Sequence, residues 1–106
     1  MNALVCERAG QLFAALSHPA RLRMTELLCV GERTVNEIAA ELHLSQSGAS
    51  QHLAVLARAG VLAVEQHGVS RRYRVRGPRI RRILDLIEEF CQVHELYGAP
   101  EEAEQP

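Results

Sequence analysis

The side chains best equipped for recognition chemistry in this 106-residue chain lie in one run, Leu44-Ser45-Gln46-Ser47-Gly48-Ala49-Ser50-Gln51-His52-Leu53. Hydroxyls and carboxamides both donate and accept hydrogen bonds. That suits phosphate oxygens and the edges of DNA bases alike. At about 100° per residue the run is two-faced: Ala49, Leu53 and Leu56 share one side, and Ser47, Gln51, Ala54 and Arg58 share the other. One side packs and the other is free to touch a partner. Ser45 reads as an N-cap and Gly60 as the left-handed residue that ends helices, which bounds the element at residues 45–59. Ser45, Gln46, Ser47, Ser50, Gln51 and His52 are thereby placed at the positive end of a helix dipole, where a phosphate is favoured. The pattern is that of a helix built to enter a DNA groove.

A second constellation follows it. Between Ser45 and Arg82 there are eight arginines against a single carboxylate, Glu65, although the formal net charge of the chain is −1. For nucleic acid the distribution of charge counts for more than its sum. Val61 to Gln66 and Val69 to Arg76 are β-prone, and His67-Gly68 between them signals a two-residue hairpin. Along the second strand Val69, Arg71, Tyr73 and Val75 alternate with Ser70, Arg72, Arg74 and Arg76, so one face is almost wholly cationic. A hairpin of this kind behind a recognition helix is a wing that reaches the phosphate backbone or the minor groove. Arg58, Arg71, Arg72, Tyr73 and Arg74 are therefore candidate DNA contacts.

The third chemistry is that of thiols. Cys6, Cys29 and Cys91 are odd in number and widely spaced, which does not describe a disulfide framework. Cys91 and His94 stand three residues apart on one helical face, a spacing at which sulfur and nitrogen can converge on Zn, Ni or Cu. A thiol of lowered pKa at Cys91 would equally suit oxidation. Cys6, on the flank of the first helix, could approach that pair from a second chain. The competing reading of Cys91 is a small hydrophobe on an apolar seam. No CxxC pair, strained serine elbow or phosphate loop is present, and catalysis is not expected.

These groups need a scaffold, and 106 residues with 47% apolar content support one small core. Val5, Ala9, Leu12, Phe13 and Leu16 predict an amphipathic helix over 3–16, and Pro19 opens a second that runs to Val30 and closes at Gly31. Leu22, Met24, Leu27, Leu28 and Val30 surround that second helix, so it is expected to be largely buried. Thr34 with Glu37 forms a capping box, followed by the stripe Val35, Ile38, Ala39 and Leu42. Only His43-Leu44 separates this helix from the one opened by Ser45, the spacing of a helix-turn-helix. Pro78 opens a last helix with the seam Ile80, Ile83, Leu84, Ile87, Cys91 and His94 and with Phe90 beside it. A long apolar stripe arriving after the core is complete calls for a symmetry mate. The expected fold is therefore mainly α with a β-hairpin wing, over residues 1–98, dimerising through its first and last helices. Residues 99–106, with Glu101, Glu102 and Glu104, read as an acidic disordered tail. Neither a membrane span nor a leader pattern is legible, so a cytoplasmic protein is expected.

The order of elements and their residues together resemble the ArsR-type (ArsR/SmtB) family of bacterial winged-helix repressors. The resemblance covers about residues 9–91. Its carriers are Leu16-Ser17-His18-Pro19-Ala20-Arg21-Leu22, Thr34-Val35-Asn36-Glu37-Ile38-Ala39, the Leu44 to Leu56 run, Ala59-Gly60-Val61-Leu62 and the segment from Gly68 to Val75. It implies a homodimeric transcriptional regulator that binds a double-stranded DNA operator under the control of a metal ion, a metalloid or a thiol-reactive signal. The family's Cys-x-Cys sensor segment corresponds here to Thr34-Val35-Asn36-Glu37, without a thiol, and the early ligands of its zinc and nickel branch correspond to Gly77-Pro78-Arg79. Persulfide-responsive members pair a cysteine of the second helix with one near the end of the last. Cys91 matches the latter, whereas Glu26 stands at the former and Cys29 a turn beyond. The alternatives that the residues leave open are a DNA binder controlled by a regulatory partner protein, activating rather than repressing, and a protein-interaction module.

Overall fold

The computed structural model describes residues 1–94, with side chains through residue 92. Five helices and three strands follow in the order α1 (Ala3–Leu16), α2 (Pro19–Val30), β1 (Arg33–Thr34), α3 (Val35–Leu42), α4 (Gln46–Arg58), β2 (Leu62–His67), β3 (Ser70–Val75) and α5 (Pro78–His94). The acidic segment 99–106 lies outside the described residues. No described helix is long and apolar enough to cross a membrane.

Each boundary has a local cause. Asn2 caps α1 by accepting from the Val5 amide at 2.8 Å, and His18 caps α2 by accepting at Nδ1 from the Ala20 amide at 3.1 Å, with Pro19 in the first turn. Thr34 and Glu37 form the expected reciprocal box: Thr34 N–H donates to Glu37 Oε1 at 2.9 Å and Glu37 N–H to Thr34 Oγ1 at 3.2 Å. That bond from the Thr34 backbone, supported by the hydroxyl and by Arg72 and Arg33 against a desolvation term, holds the Glu37 carboxyl below its ordinary value. A depressed carboxyl stabilises the fold above its unfolded pKa and ceases to do so as pH falls through its folded one. Thr34→Ala is expected to lower the unfolding free energy by about 1 kcal/mol at neutral pH. In urea titrations the acid-side loss of stability is expected to be smaller for Glu37→Gln than for the natural protein.

Between α3 and α4 the chain turns at His43, whose φ of 58° is left-handed, and the Leu44 amide donates to the Ala39 carbonyl at 2.9 Å. Gly60 takes the left-handed φ of 85° after α4, as its position predicted. The hairpin turn lies one residue later than the sequence suggested. His67 pairs with Ser70, so the turn residues are Gly68 and Val69, with positive φ at Gly68 alone, the II′ pattern. β3 is also the central strand of an antiparallel sheet ordered β1-β3-β2, with Arg33 opposite Tyr73 and Leu62 opposite Val75.

Ala49, Leu53 and Leu56, the predicted packing face of α4, are fully buried with Met24, Leu28 and Ile38, and Val61, Leu62 and Tyr73 close the core from the sheet side. The second helix is less enclosed than expected. Leu22 and Leu27 are half-buried and Val30, at the helix end, is 73% exposed. α1 buries only Ala15 and Leu16, leaving Leu4, Val5 and Phe13 largely exposed, and on α5 Leu84 is buried while Leu86 and Phe90 are exposed.

Candidate nucleic-acid interface

Ser45 Oγ accepts from the Gly48 amide at 3.0 Å, which fixes the start of α4 and spends that hydroxyl on the cap. Beyond it Gln46, Ser47 and Gln51 are exposed and Ser50 is half-buried. Against this helix end lies a cleft of about 190 Å³ lined by Thr34, Val35, Asn36, Gln46, Ser50, Val69, Ser70 and Arg71. The start of α3, the start of α4 and the wing therefore form one continuous polar surface. Asn36 belongs to it, exposed in the first turn of α3, although the sequence reading passed it over. A polar residue on the solvent side of the first helix of a helix-turn-helix was the available signal.

The wing supplies the charge. Arg71 and Arg74 are exposed and form no ion pair among the described residues, whereas Arg72 is half-buried opposite Thr34 and Glu65 and acts on the Glu37 carboxylate. Tyr73 must be reassigned. Its side chain is 4% exposed and packs in the core at the middle of the sheet, so the ring that was a candidate DNA contact is a structural group. Arg58 is exposed at the far end of α4, about 18 Å along the axis from Gln46. There it lines a separate cleft with Leu4, Glu7, Arg8 and Gln11 of α1. His52 is half-buried rather than free. Its Nδ1 accepts from Arg21 Nε at 3.2 Å and its ring lies 4.6 Å from that of His18.

The thiols are dispersed, and all three are free. Cys6 is exposed on α1, with its sulfur 4.0 Å from the Met1 carbonyl oxygen. Cys29 is half-buried on α2. Burial pushes its thiol up, opposed by Arg81 and reinforced by Asp85 and Glu26, which disfavours the thiolate. Cys91 is half-buried on α5, and the side chain of His94 lies outside the described residues. Among the described residues no three His, Cys, Asp or Glu side chains converge as a metal site requires. The donor set present does not fit a resident metal within one chain.

The surface that remains is an exposed polar helix start beside an arginine-bearing hairpin. Comparison with known proteins agrees. Residues 18–64 match the family model described as "Bacterial regulatory protein, arsR family". The HTH-type transcriptional regulator Rv0081 of Mycobacterium tuberculosis is 40% identical over 81 residues, covering 76% of this chain and 71% of that protein. The transcriptional activator HlyU of Vibrio cholerae is 29% identical over 89 residues, covering 83% and 82%. Among solved structures, the homodimeric winged helix-turn-helix DNA-binding domain Mb0332 of Mycobacterium bovis superposes with a TM-score of 0.80 at 27% identity, covering 87% of this chain and 85% of that one. This chain belongs to the arsR family of bacterial regulatory proteins, and it is a winged helix-turn-helix, DNA-binding transcriptional regulator.

Proposed function

We propose that two copies of the chain bind a near-palindromic operator, each laying α4 in a major groove and its wing on the adjoining backbone, and repress transcription by occluding the promoter. The observation that carries this reading is the continuity of the exposed α4 start with the cleft and with Arg71. Gln46, Ser47, Ser50 and Gln51 supply base or phosphate contacts there, while Arg71 and Arg74, with Arg72 behind them and Arg58 at the far helix end, neutralise phosphates. Dimerisation is supported by the apolar residues that the chain leaves uncovered on α1 and α5, Leu4, Phe13, Leu86 and Phe90. A twofold pair sets the two recognition helices about 34 Å apart, one DNA turn. Because HlyU is named an activator, the sign of regulation is part of the proposal.

The control we assign is thiol-based, at Cys91. This residue lies on the α5 seam, where oxidation would alter dimer packing, and the described donors do not assemble a metal site. A Zn, Ni or Cu site would need Cys6 and His94 brought to Cys91 by the second protomer. The test is a fluorescence-anisotropy titration of reduced, chelator-treated protein against the DNA upstream of its own gene, followed by a persulfide donor, Zn, Ni and Cu in turn. Tight binding released by the persulfide donor alone, and insensitive to it in Cys91→Ser, is the expected result. Release by a metal overturns the thiol assignment, and release by nothing hands control to a partner protein. No binding to any duplex overturns the DNA reading.

A further inference from the structure

Arg21 joins three elements. From the first turn of α2 its Nη1 donates to the Ala15 carbonyl near the end of α1 at 3.2 Å, and its Nε donates to His52 Nδ1 on α4 at 3.2 Å. Its backbone carbonyl accepts from Thr25 Oγ1 at 2.8 Å, and Thr25 is fully buried. The His52 ring rests against His18, whose own Nδ1 accepts from the Ala20 amide. Both imidazoles therefore spend Nδ1 as an acceptor, which in the neutral ring leaves the proton on Nε2. Turning or sliding α4 would break the Arg21 bond and unstack the rings. Among the polar contacts of α4's side chains with other elements, this bond is the one that reaches into the body of the domain.

We propose that Arg21 is a positioning residue for DNA recognition: through its bond to His52 it fixes the orientation of α4 on α2, so that sequence discrimination depends on a residue that need not touch DNA. The inference rests on α4 being the recognition helix. It carries a condition on protonation. A charged His52 bears a proton on both nitrogens, cannot accept from Arg21 and would face a guanidinium. The charged groups that face His52 from the elements packed on α4 are Arg21 and His18, with no carboxylate among them. Burial foremost, then His18 and Arg21, hold its pKa below the ordinary value, so the bond is intact at neutral pH. Discrimination is therefore expected to decline at a pH below the usual histidine range. Affinity itself is a poor readout, because added positive charge strengthens binding to every duplex.

The experiment uses the full chain and an operator selected by it from a random duplex pool, and reads the ratio of dissociation constants for scrambled and selected DNA. Arg21→Met is expected to lower this ratio roughly fivefold to tenfold at about pH 8, since one hydrogen bond and its geometry are lost, with the salt slope unchanged. His52→Asn keeps an acceptor for Arg21 and is expected to stay within about twofold of the natural ratio while losing its pH dependence. A salt slope lowered by about one unit in Arg21→Met would mean that Arg21 itself meets a phosphate, and would overturn the proposal. A ratio lost in His52→Asn but kept in Arg21→Met would overturn it too, by making His52 a direct contact. Should Arg21→Met fail to fold, the pH profiles of the natural protein and His52→Asn decide alone, and identical profiles overturn it. Histidine nitrogen chemical shifts of the DNA-free protein separate this inference from the DNA reading. The Nε2–H form of His52 is expected whether or not an operator is found, and the Nδ1–H form overturns the proposal.

Discussion

Reversing both wing charges, Arg71→Glu with Arg74→Glu, is expected to reduce DNA affinity at least about a hundredfold at low salt and to lower the slope of log affinity against log salt by about two units, near 0.9 per phosphate released. Both side chains are exposed and their cross-strand neighbours are Gln66 and Ala63, so the exchange breaks no ion pair in the ladder. The stability of the fold is expected to move by no more than about 0.5 kcal/mol. Thermal unfolding and anisotropy titrations at several salt concentrations would check both halves. An unchanged slope would remove the wing from the backbone contact and leave α4 to bind alone.

Leu53→Ala is expected to have the largest effect on stability. Leu53 is fully buried on the packing face of α4, in the cluster with Met24, Leu28 and Ile38. Removing a buried leucine side chain costs about 2–5 kcal/mol when its surroundings do not collapse into the space. Small domains hold only about 5–15 kcal/mol in total, so a large share of the margin is lost. Urea titration measures it, with an expected fall in midpoint at unchanged m-value. Since the same residue seats the recognition helix, operator discrimination is expected to weaken together with stability. A loss below about 1 kcal/mol would show that the helix is held chiefly by other contacts.

Much of this arrangement was legible because period and punctuation agree. The i, i+3, i+4, i+7 stripe after Thr34, the Ser45 cap and the Ala49, Leu53, Leu56 face each follow from spacing alone, and each is present. What was not legible depends on partners distant in sequence. β1 is two residues long, too short to show alternation, and is a strand because Arg33 and Thr34 meet Tyr73 and Arg72. That pairing makes β3 a central strand and buries Tyr73, which the sequence had placed with the arginines. The turn shifted by one residue because Gly68 takes the first turn position, where positive φ is required, rather than the second. Val30 read as core by composition, yet the last residue of α2 runs past the body that would cover it. His52 could be assigned a half-structural role from its edge position, but Arg21, 31 residues away in sequence, could not be foreseen as its partner.

The central claim is that α4 reads DNA sequence, and Gln51 is the exposed carboxamide on its outward face. The most direct measurement is the ratio of dissociation constants for the selected operator and its scrambled counterpart, for the natural protein and for Gln51→Ala, by anisotropy under one salt condition. A base contact is worth about 1–3 kcal/mol of discrimination. The ratio is expected to fall by roughly fivefold to a hundredfold in Gln51→Ala, with non-specific affinity unchanged. A natural protein that binds both duplexes equally, or a ratio untouched by Gln51→Ala, would contradict the reading.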